Sequence, residues 1–191
     1  IHRIMMMAAL SLLMVACSTV SETDGMQPRL SAAHVQPLAL TVGTVEIKGP
    51  AATALPAGFT QNFPDLMHAY ATRRFVGNPS AGQKLVVNLD QTDVTYARSE
   101  SSNDVTRWMR LDGHDDYTLV ARVRLTLQNA AGADQISHEL ALQNTLTLPD
   151  SLSLNEREAR QVRFVEQFMA DLDSRITRTL TSSFFVVTPG Q

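Results

Sequence analysis

The amino-acid sequence predicts an α+β fold whose elements follow the order strand, helix, strand, strand, strand, helix. Three observations support this prediction. Apolar residues alternate with polar ones over residues 117–127, apolar residues recur at intervals of three and four over residues 162–180, and the last three strands are consecutive along the chain. Consecutive strands joined by turns pair antiparallel, so we expect a mainly antiparallel sheet with both helices packed on one face.

The first strand and the first helix are predicted from local patterns. Apolar residues alternate over residues 38–47, and the change of phase at Gly43 indicates a bulge within a single strand. A short helix is expected over residues 64–75, because Asp65 suits the positive N-terminal end of the helix dipole. Arg73-Arg74 suit the negative end of the same helix.

Three further strands are expected in the middle of the chain. Over residues 85–96 the alternation changes phase, which indicates either a β-bulge or a change of strand partner near residues 90–93. Residues 117–127 alternate without interruption, and a polar turn at residues 129–134 then connects to a return strand, so the two strands form a hairpin. His138 is expected to point inward from the return strand.

The final helix is predicted to begin at Ser153, because Ser153 and Glu156 have the spacing of a capping box. It is expected to continue to about Thr181, with a charged face opposite an apolar one. The apolar stripe that should face the core consists of Val162, Val165, Met169, Leu172, Ile176 and Leu180.

The start of the chain has the pattern of an export signal. An apolar run follows Arg3 and ends at Ala16-Cys17, and it is shorter than the roughly 20 residues that cross a bilayer. Residues 14–17, Met-Val-Ala-Cys, resemble the lipobox of bacterial lipoproteins, with Met where Leu is usual. The resemblance implies cleavage before Cys17 and attachment of palmitate-type acyl chains to it. A buried core cysteine in an N-terminal helix is the alternative, which the lack of a polar face disfavours.

These features predict three parts: a lipoprotein signal peptide over residues 1–16, the lipidated Cys17 with a flexible polar tether over residues 17–36, and a single α+β periplasmic domain over residues 37–191. Acyl chains are therefore the expected membrane anchor. Ser18 follows the cysteine, and by the sorting of enteric lipoproteins this implies the periplasmic face of the outer membrane.

Composition argues against several classes of function. Removal of residues 1–16 leaves 15 basic and 19 acidic residues without charged blocks, which disfavours nucleic acid as a partner. Cys17 is the one cysteine, so neither a disulfide nor a catalytic thiol is expected in the domain. The sequence lacks the common catalytic motifs, and we expect no enzyme and no cofactor. Residues 112–116, Asp-Gly-His-Asp-Asp, contain only one His and are expected to form a solvated turn rather than a metal site.

The stretch from Arg98 to Arg110 is the candidate binding surface. It contains Arg107 and Trp108 beside a Ser-rich loop. An aromatic residue flanked by arginines suits the boundary between acyl chains and phosphate head groups. It suits a protein partner equally well, because Trp and Arg are common interface anchors. In a third interpretation the stretch only connects two strands, and Trp108 packs onto its own sheet.

The element order, the lipobox and the long final helix together resemble the lipopolysaccharide-assembly lipoprotein family. The matching stretches are residues 73–77 (Arg-Arg-Phe-Val-Gly), 117–148 and 149–180, within a resemblance that covers residues 37–182. The auxiliary lipoproteins of ABC-type transport systems are a second similar family. Either resemblance implies a non-enzymatic lipoprotein that assists lipopolysaccharide or lipid transport through a membrane-protein partner. A structural envelope lipoprotein without a transport role is the remaining alternative.

Overall fold

The computed structural model describes residues 35–49, 54–99 and 113–187, which fold as a sheet covered on one face by helices. In chain order the elements are strands β1 (Leu38–Ala39) and β2 (Thr44–Lys48), helix α1 (Phe63–Arg74), strands β3 (Phe75–Val76), β4 (Lys84–Ser99), β5 (His114–Gln128) and β6 (Asp134–Pro149), and helix α2 (Leu154–Thr179), which a π-helical turn (Leu180–Phe184) extends. The predicted α+β class is confirmed.

The main sheet has the strand order β2-β4-β5-β6. Strand β2 pairs parallel with β4, whereas β4, β5 and β6 pair antiparallel, so the prediction of a mainly antiparallel sheet is confirmed. The register between β4 and β5 shifts between Leu89 and Gln91 while the partner stays the same. Of the two alternatives for this region, the β-bulge is therefore the one that the fold uses.

The prediction of a single first strand with a bulge is wrong. β1 pairs parallel with β3, Leu40 forms a bridge with Val187, and only after Gly43 does the chain join the main sheet as β2. A side chain at Gly43 would collide with the carbonyl oxygen of Ala81, and the Gly43 N–H donates to the Gln83 carbonyl at 2.7 Å. The glycine thus permits a close crossing between two sheets, which alternation of side chains does not reveal.

One hydrophobic core lies between the sheet and the two helices. Leu85 of β4 and Leu125 of β5 are fully buried, together with Phe63 of α1 and Phe168 of α2. The rings of Phe63 and Phe168 meet edge to face with their centroids 5.3 Å apart. Both helices therefore pack on the same face of the sheet, as the sequence predicts.

A polar cluster links the C-terminal half of α1 to α2. The Arg74 Nε donates to the Asp173 carboxylate at 2.7 Å, and the Tyr70 hydroxyl donates to it at 2.5 Å. Burial, and then the hydrogen bond to Asp173 and its charge, raise the pKa of Tyr70 far above its ordinary value. Arg74, in the last turn of α1, also donates to the carbonyl of Gln36 at 2.7 Å. It therefore holds the residues before β1 against the end of α1.

Helix α2 begins with the predicted capping box, in which the Ser153 N–H donates to the Glu156 carboxylate at 2.9 Å. The helix ends at Thr179 rather than Thr181, because the π-helical turn replaces its last residues. Neither of the described helices combines the length and the apolar character that a bilayer crossing requires. His138 lies on the helix-covered face, as predicted, because it pairs with the buried Leu125 and its ring is 5.5 Å from that of Phe184. It is nevertheless exposed, because β6 is the edge strand.

Candidate functional site

The candidate site lies at the end of β4 and the start of β5, where His114 also pairs with Pro149 of β6. These strands contain 16 and 15 residues, and at ~3.3 Å per residue they extend for about 50 Å. Their last pair is Ser99 with His114. We use the name hairpin end for the region formed by Tyr96–Ser99, Gly113–Tyr117, Asp150 and the first turn of α2. The name refers to the connection from β4 to β5; the turn of the β5–β6 hairpin lies at the other end of these strands. The segment of residues 100–112 connects β4 to β5 at this end.

Asp115 is the centre of the charge network at the hairpin end. Its side chain is 9% exposed, and its carboxylate accepts hydrogen bonds from the Tyr96 hydroxyl at 2.8 Å, from Arg98 Nη1 at 3.0 Å and from Arg157 Nη2. Burial is the largest single influence on the pKa of Asp115 and would raise it. The hydrogen bonds from Tyr96 and Arg157 and the charges of both arginines outweigh burial, and they lower the pKa below its ordinary value.

Arg98 joins this network to the start of α2. Its Nη2 donates to the Asp150 carboxylate at 2.7 Å, so the guanidinium bridges two acidic residues on different strands and loops. The Asp150 N–H donates to the Gly113 carbonyl at 2.9 Å, and a Cβ at position 113 would collide with the Asp150 carboxylate. A glycine at position 113 therefore allows the return from the segment of residues 100–112 to pack against the loop before α2.

An aromatic layer supports the charge network from the core side. The Tyr117 ring lies between those of Phe59 and Tyr96, at centroid distances of 5.4 and 5.3 Å. The Tyr117 hydroxyl donates to the Ala57 carbonyl at 3.1 Å. Burial first, and then the charge of Asp115, raise the pKa of Tyr117, so its hydroxyl stays protonated and keeps donating.

Gln161 fixes the loop before α1 and was not singled out by the sequence patterns. Its side chain is 1% exposed, accepts from the Thr60 N–H at 3.0 Å, and donates to the Gly58 carbonyl at 2.7 Å. A polar residue next to an apolar helical stripe does not indicate burial by itself. The function of these contacts is structural: they hold Phe59 against Tyr117 and so complete the aromatic layer.

The structure places the predicted site residues as follows. Arg98 is at the hairpin end, where its side chain is 46% exposed and shared between Asp115 and Asp150. Arg107, Trp108 and Arg110 belong to the segment of residues 100–112 and lie outside the described residues, as does the lipidation site Cys17. The structure therefore brings Arg98 together with two acidic residues and with the root of the segment that carries the other three.

The prediction of a solvated turn over residues 112–116 is wrong for the part that is described. His114, Asp115 and Asp116 are the first residues of β5, and Asp115 is buried. His114 contacts Asp116 at 3.5 Å. Across residues 35–49, 54–99 and 113–187, no group of three or more His, Cys, Asp or Glu side chains is arranged to hold a metal ion.

Exposed apolar side chains lie beside the charge network of the hairpin end. The charge network fixes the root of the segment of residues 100–112, while two apolar side chains beside it are exposed: Tyr96 by 41% and Leu154 by 83%. Exposed apolar residues next to a rigid polar network are typical of interfaces, where little ordering is needed on binding. A single signal in the sequence could have found the network: Asp115 is in phase with the buried alternating series that begins at Tyr117.

Comparisons with known proteins give weak likenesses only. No family model matches the chain, and neither does any curated protein. Among solved structures, a minor lipoprotein from Acinetobacter baumannii is 14% identical, with a TM-score of 0.40 over 80% of this chain and 99% of its own. A homolog of the neuraminyllactose-binding hemagglutinin from Helicobacter pylori is 7% identical, with a TM-score of 0.37 over 82% and 89%.

A third solved structure, a protein of family DUF330 from Xanthomonas campestris, is 9% identical, with a TM-score of 0.28 over 74% of this chain and 99% of its own. At these identities and TM-scores the likeness assigns neither a family nor a function. The resemblance to lipopolysaccharide-assembly and transport-auxiliary lipoproteins therefore stays a prediction from the sequence.

Proposed function

We propose that this protein is a lipoprotein of the bacterial envelope, anchored through acyl chains on Cys17, that assists lipopolysaccharide or lipid transport by binding a membrane-protein partner. The sequence Met14-Val15-Ala16-Cys17 carries the proposal, because it sets the one cysteine of the chain directly after an apolar export signal. Each buried CH₂ of an acyl chain contributes ~0.8 kcal/mol, so two or three chains hold a domain stably on a bilayer. The periplasmic face of the outer membrane is the proposed location.

The hairpin end supports the second half of the proposal, which is partner binding rather than catalysis. Tyr96 and Leu154 are exposed at the hairpin end, and the sequence that follows β4 contains Trp108 between two arginines. Trp, Tyr and Arg are the residue types most often responsible for interface energy. The ion pairs of Asp115 hold the two ends of the segment in place, which lowers the entropy that a partner must remove.

Capture of the intact lipoprotein from detergent-solubilised envelopes, followed by mass spectrometry of the co-purifying proteins, tests this function. Recovery of a large outer-membrane β-barrel supports the lipopolysaccharide-assembly version of the proposal. Recovery of a permease or a lipid-shuttling complex supports the transport-auxiliary version. Recovery of the protein alone contradicts both and indicates a structural lipoprotein.

Two variants identify the surface that the partner uses. Trp108→Ala should reduce recovery of the partner by about tenfold or more, as expected for a central interface aromatic. Phe185→Ala is the matched control, because Phe185 is also an exposed aromatic residue, 78% exposed, but lies at the opposite end of the sheet. Equal recovery with both variants would contradict binding through the hairpin end.

A further inference from the structure

The end of the molecule opposite the hairpin end carries a second exposed apolar patch. Here the chain directly after β1 lies between two short segments: the Leu40 N–H donates to the Val76 carbonyl at 3.0 Å, and the Thr41 N–H donates to the Val186 carbonyl at 2.7 Å. Val76 and Phe185, which flank β1, are 47% and 78% exposed. We call Ala39, Val76 and Phe185 the tether-end patch, because the chain enters the fold beside them.

Phe185 has an unfavourable conformation for its residue type. Its φ of 53° and ψ of 30° lie in the left-handed region, and within the described residues it is the one non-glycine residue with positive φ. Glycine or asparagine usually occupies this position after a helix, because the Cβ of a larger residue strains the left-handed backbone. The backbone N–H of Phe185 caps the π-helical turn, but any residue other than proline could supply that bond, and the 78% exposed ring adds little inside the fold.

The surroundings of the tether-end patch are basic. Helices α1 and α2 both end here, and their last turns contain Arg73, Arg74 and Arg178. Arg73 and Arg178 are exposed and form no ion pair within the described part of the chain, whereas Arg74 is paired with Asp173. Exposed aromatic and aliphatic side chains beside free arginines match the boundary between acyl chains and anionic head groups.

The segment that leads from the proposed anchor to the fold enters it beside this patch. Val35 is the first described residue, and Arg74 holds the carbonyl of the next residue, Gln36, at 2.7 Å. Residues 18–34 separate the proposed anchor Cys17 from this point, and 17 residues with random-coil dimensions would span about 25 Å on average. The anchor thus keeps the tether end at a high local concentration near the bilayer.

We propose that the tether-end patch docks the domain onto the anionic surface of the membrane that holds the anchor, with Phe185 inserted at the head-group boundary. The inference rests on the proposed acylation of Cys17. It orients the molecule: β4 and β5 extend for about 50 Å from the docked end, so the hairpin end faces away from that membrane. The segment of residues 100–112 then begins on the far side of the domain, so a partner that binds it is contacted through a part that stands away from the surface of the anchoring membrane.

Tryptophan fluorescence in vesicles tests the docking. Trp108 is the only tryptophan of the chain, so the double variant Trp108→Phe/Phe185→Trp reports on position 185 alone. The acylated full-length protein is reconstituted into vesicles of phosphatidylethanolamine and phosphatidylglycerol whose acyl chains are brominated near the head group. We expect emission shifted to the blue and quenched by about twofold relative to unbrominated vesicles, because interfacial residues enter the acyl boundary by roughly 5–10 Å.

Two controls accompany this measurement. Trp108→Phe/Tyr96→Trp places the reporter at an exposed aromatic position of the hairpin end, and its emission should not be quenched. Arg178→Gln in the Phe185→Trp background should weaken the quenching, as should replacement of phosphatidylglycerol by neutral phosphatidylcholine. Equal quenching at positions 96 and 185, or none at 185, overturns the docking.

The mass of the N-terminal peptide is measured first, because it tests acylation of Cys17 separately from docking. When acyl chains are present and position 185 is not quenched, the patch proposal fails and the anchor stands. When the acyl chains are absent, the anchor proposal fails, and the docking is then tested by adding the same vesicles to the unacylated protein. Quenching at position 185 supports docking through the patch, and the absence of quenching overturns it. A dimer without lipid quenching would identify a second copy as the occupant and would also overturn the docking.

Discussion

Asp115→Asn tests how the hairpin end is held together. The substitution keeps the shape of the side chain and removes the negative charge that Arg98 and Arg157 share. Loss of one partner from a fully buried ion pair costs about 3–5 kcal/mol. Arg157 is 17% exposed, but the side chain of Arg98 is 46% exposed, so water partly replaces its lost partner. We therefore expect a loss of about 2–3 kcal/mol in the free energy of unfolding.

Urea unfolding followed by circular dichroism measures this loss. With a slope of about 2 kcal/mol per molar urea, the midpoint should fall by about 1–1.5 M. The pKa of Asp115 lies below its ordinary value in the folded protein. Its charge therefore stabilises the fold fully above the unfolded pKa of ~3.9, and this contribution disappears as the pH falls through the lower folded pKa. The deficit of Asp115→Asn should be constant between about pH 7 and 5 and shrink below about pH 4.

Asp116→Asn is the matched control, because Asp116 is the next residue and points to the other face of the sheet. Asp116 accepts a hydrogen bond from the Thr147 hydroxyl at 2.5 Å, which the side-chain oxygen of asparagine can also accept, and it contacts His114 at 3.5 Å. The substitution should therefore cost less than about 1 kcal/mol. Its midpoint should change by less than about 0.5 M. If Asp115→Asn unfolds at the same urea concentration as the control, or keeps its full deficit at about pH 3, the charge of Asp115 does not hold the hairpin end.

Three further variants test other parts of the structure. Gln161→Leu should lower the free energy of unfolding by about 1–3 kcal/mol, because it leaves polar backbone groups of the loop before α1 without partners. Chymotrypsin should then cleave faster after Phe59, and unchanged cleavage would contradict the role of Gln161. Gly113→Ala should lower the unfolding temperature, since its Cβ meets the Asp150 carboxylate, and an unchanged temperature would show that this contact is not tight. Phe185→Gly should raise the free energy of unfolding by up to about 1 kcal/mol, whereas a decrease would show that the ring contributes to packing.

The regular parts of the fold follow from periodicity, because burial of one face imposes a pattern that one strand or helix shows by itself. β5 has the uninterrupted alternation that its sequence predicts, and α2 begins at the predicted capping box. The bulge near Asp90 also shows in the sequence, as a change of phase between Leu89 and Val94. What the pattern leaves open there is only the choice between a bulge and a new partner.

The interior of the hairpin end depends on contacts between distant residues, which local patterns do not contain. Asp115 meets Arg98 across 17 positions and Arg157 across 42. From the sequence alone it belongs to a polar run that looks solvated, although its phase relative to Tyr117 points inward. Gln161 is similar, because its partners lie about a hundred positions earlier. The crossing at Gly43 likewise depends on a backbone approach that no side chain indicates.

The central claim, attachment to a membrane through Cys17, is tested most directly by the mass of the N-terminal peptide of the protein purified from bacterial envelopes. We predict that this peptide begins at Cys17 and carries the mass of two or three acyl chains, and that Cys17→Ala leaves a folded domain which a salt wash releases from membranes. An N-terminal peptide that extends through Cys17 without acyl chains, or a Cys17→Ala variant that stays with membranes after the wash, would contradict the claim.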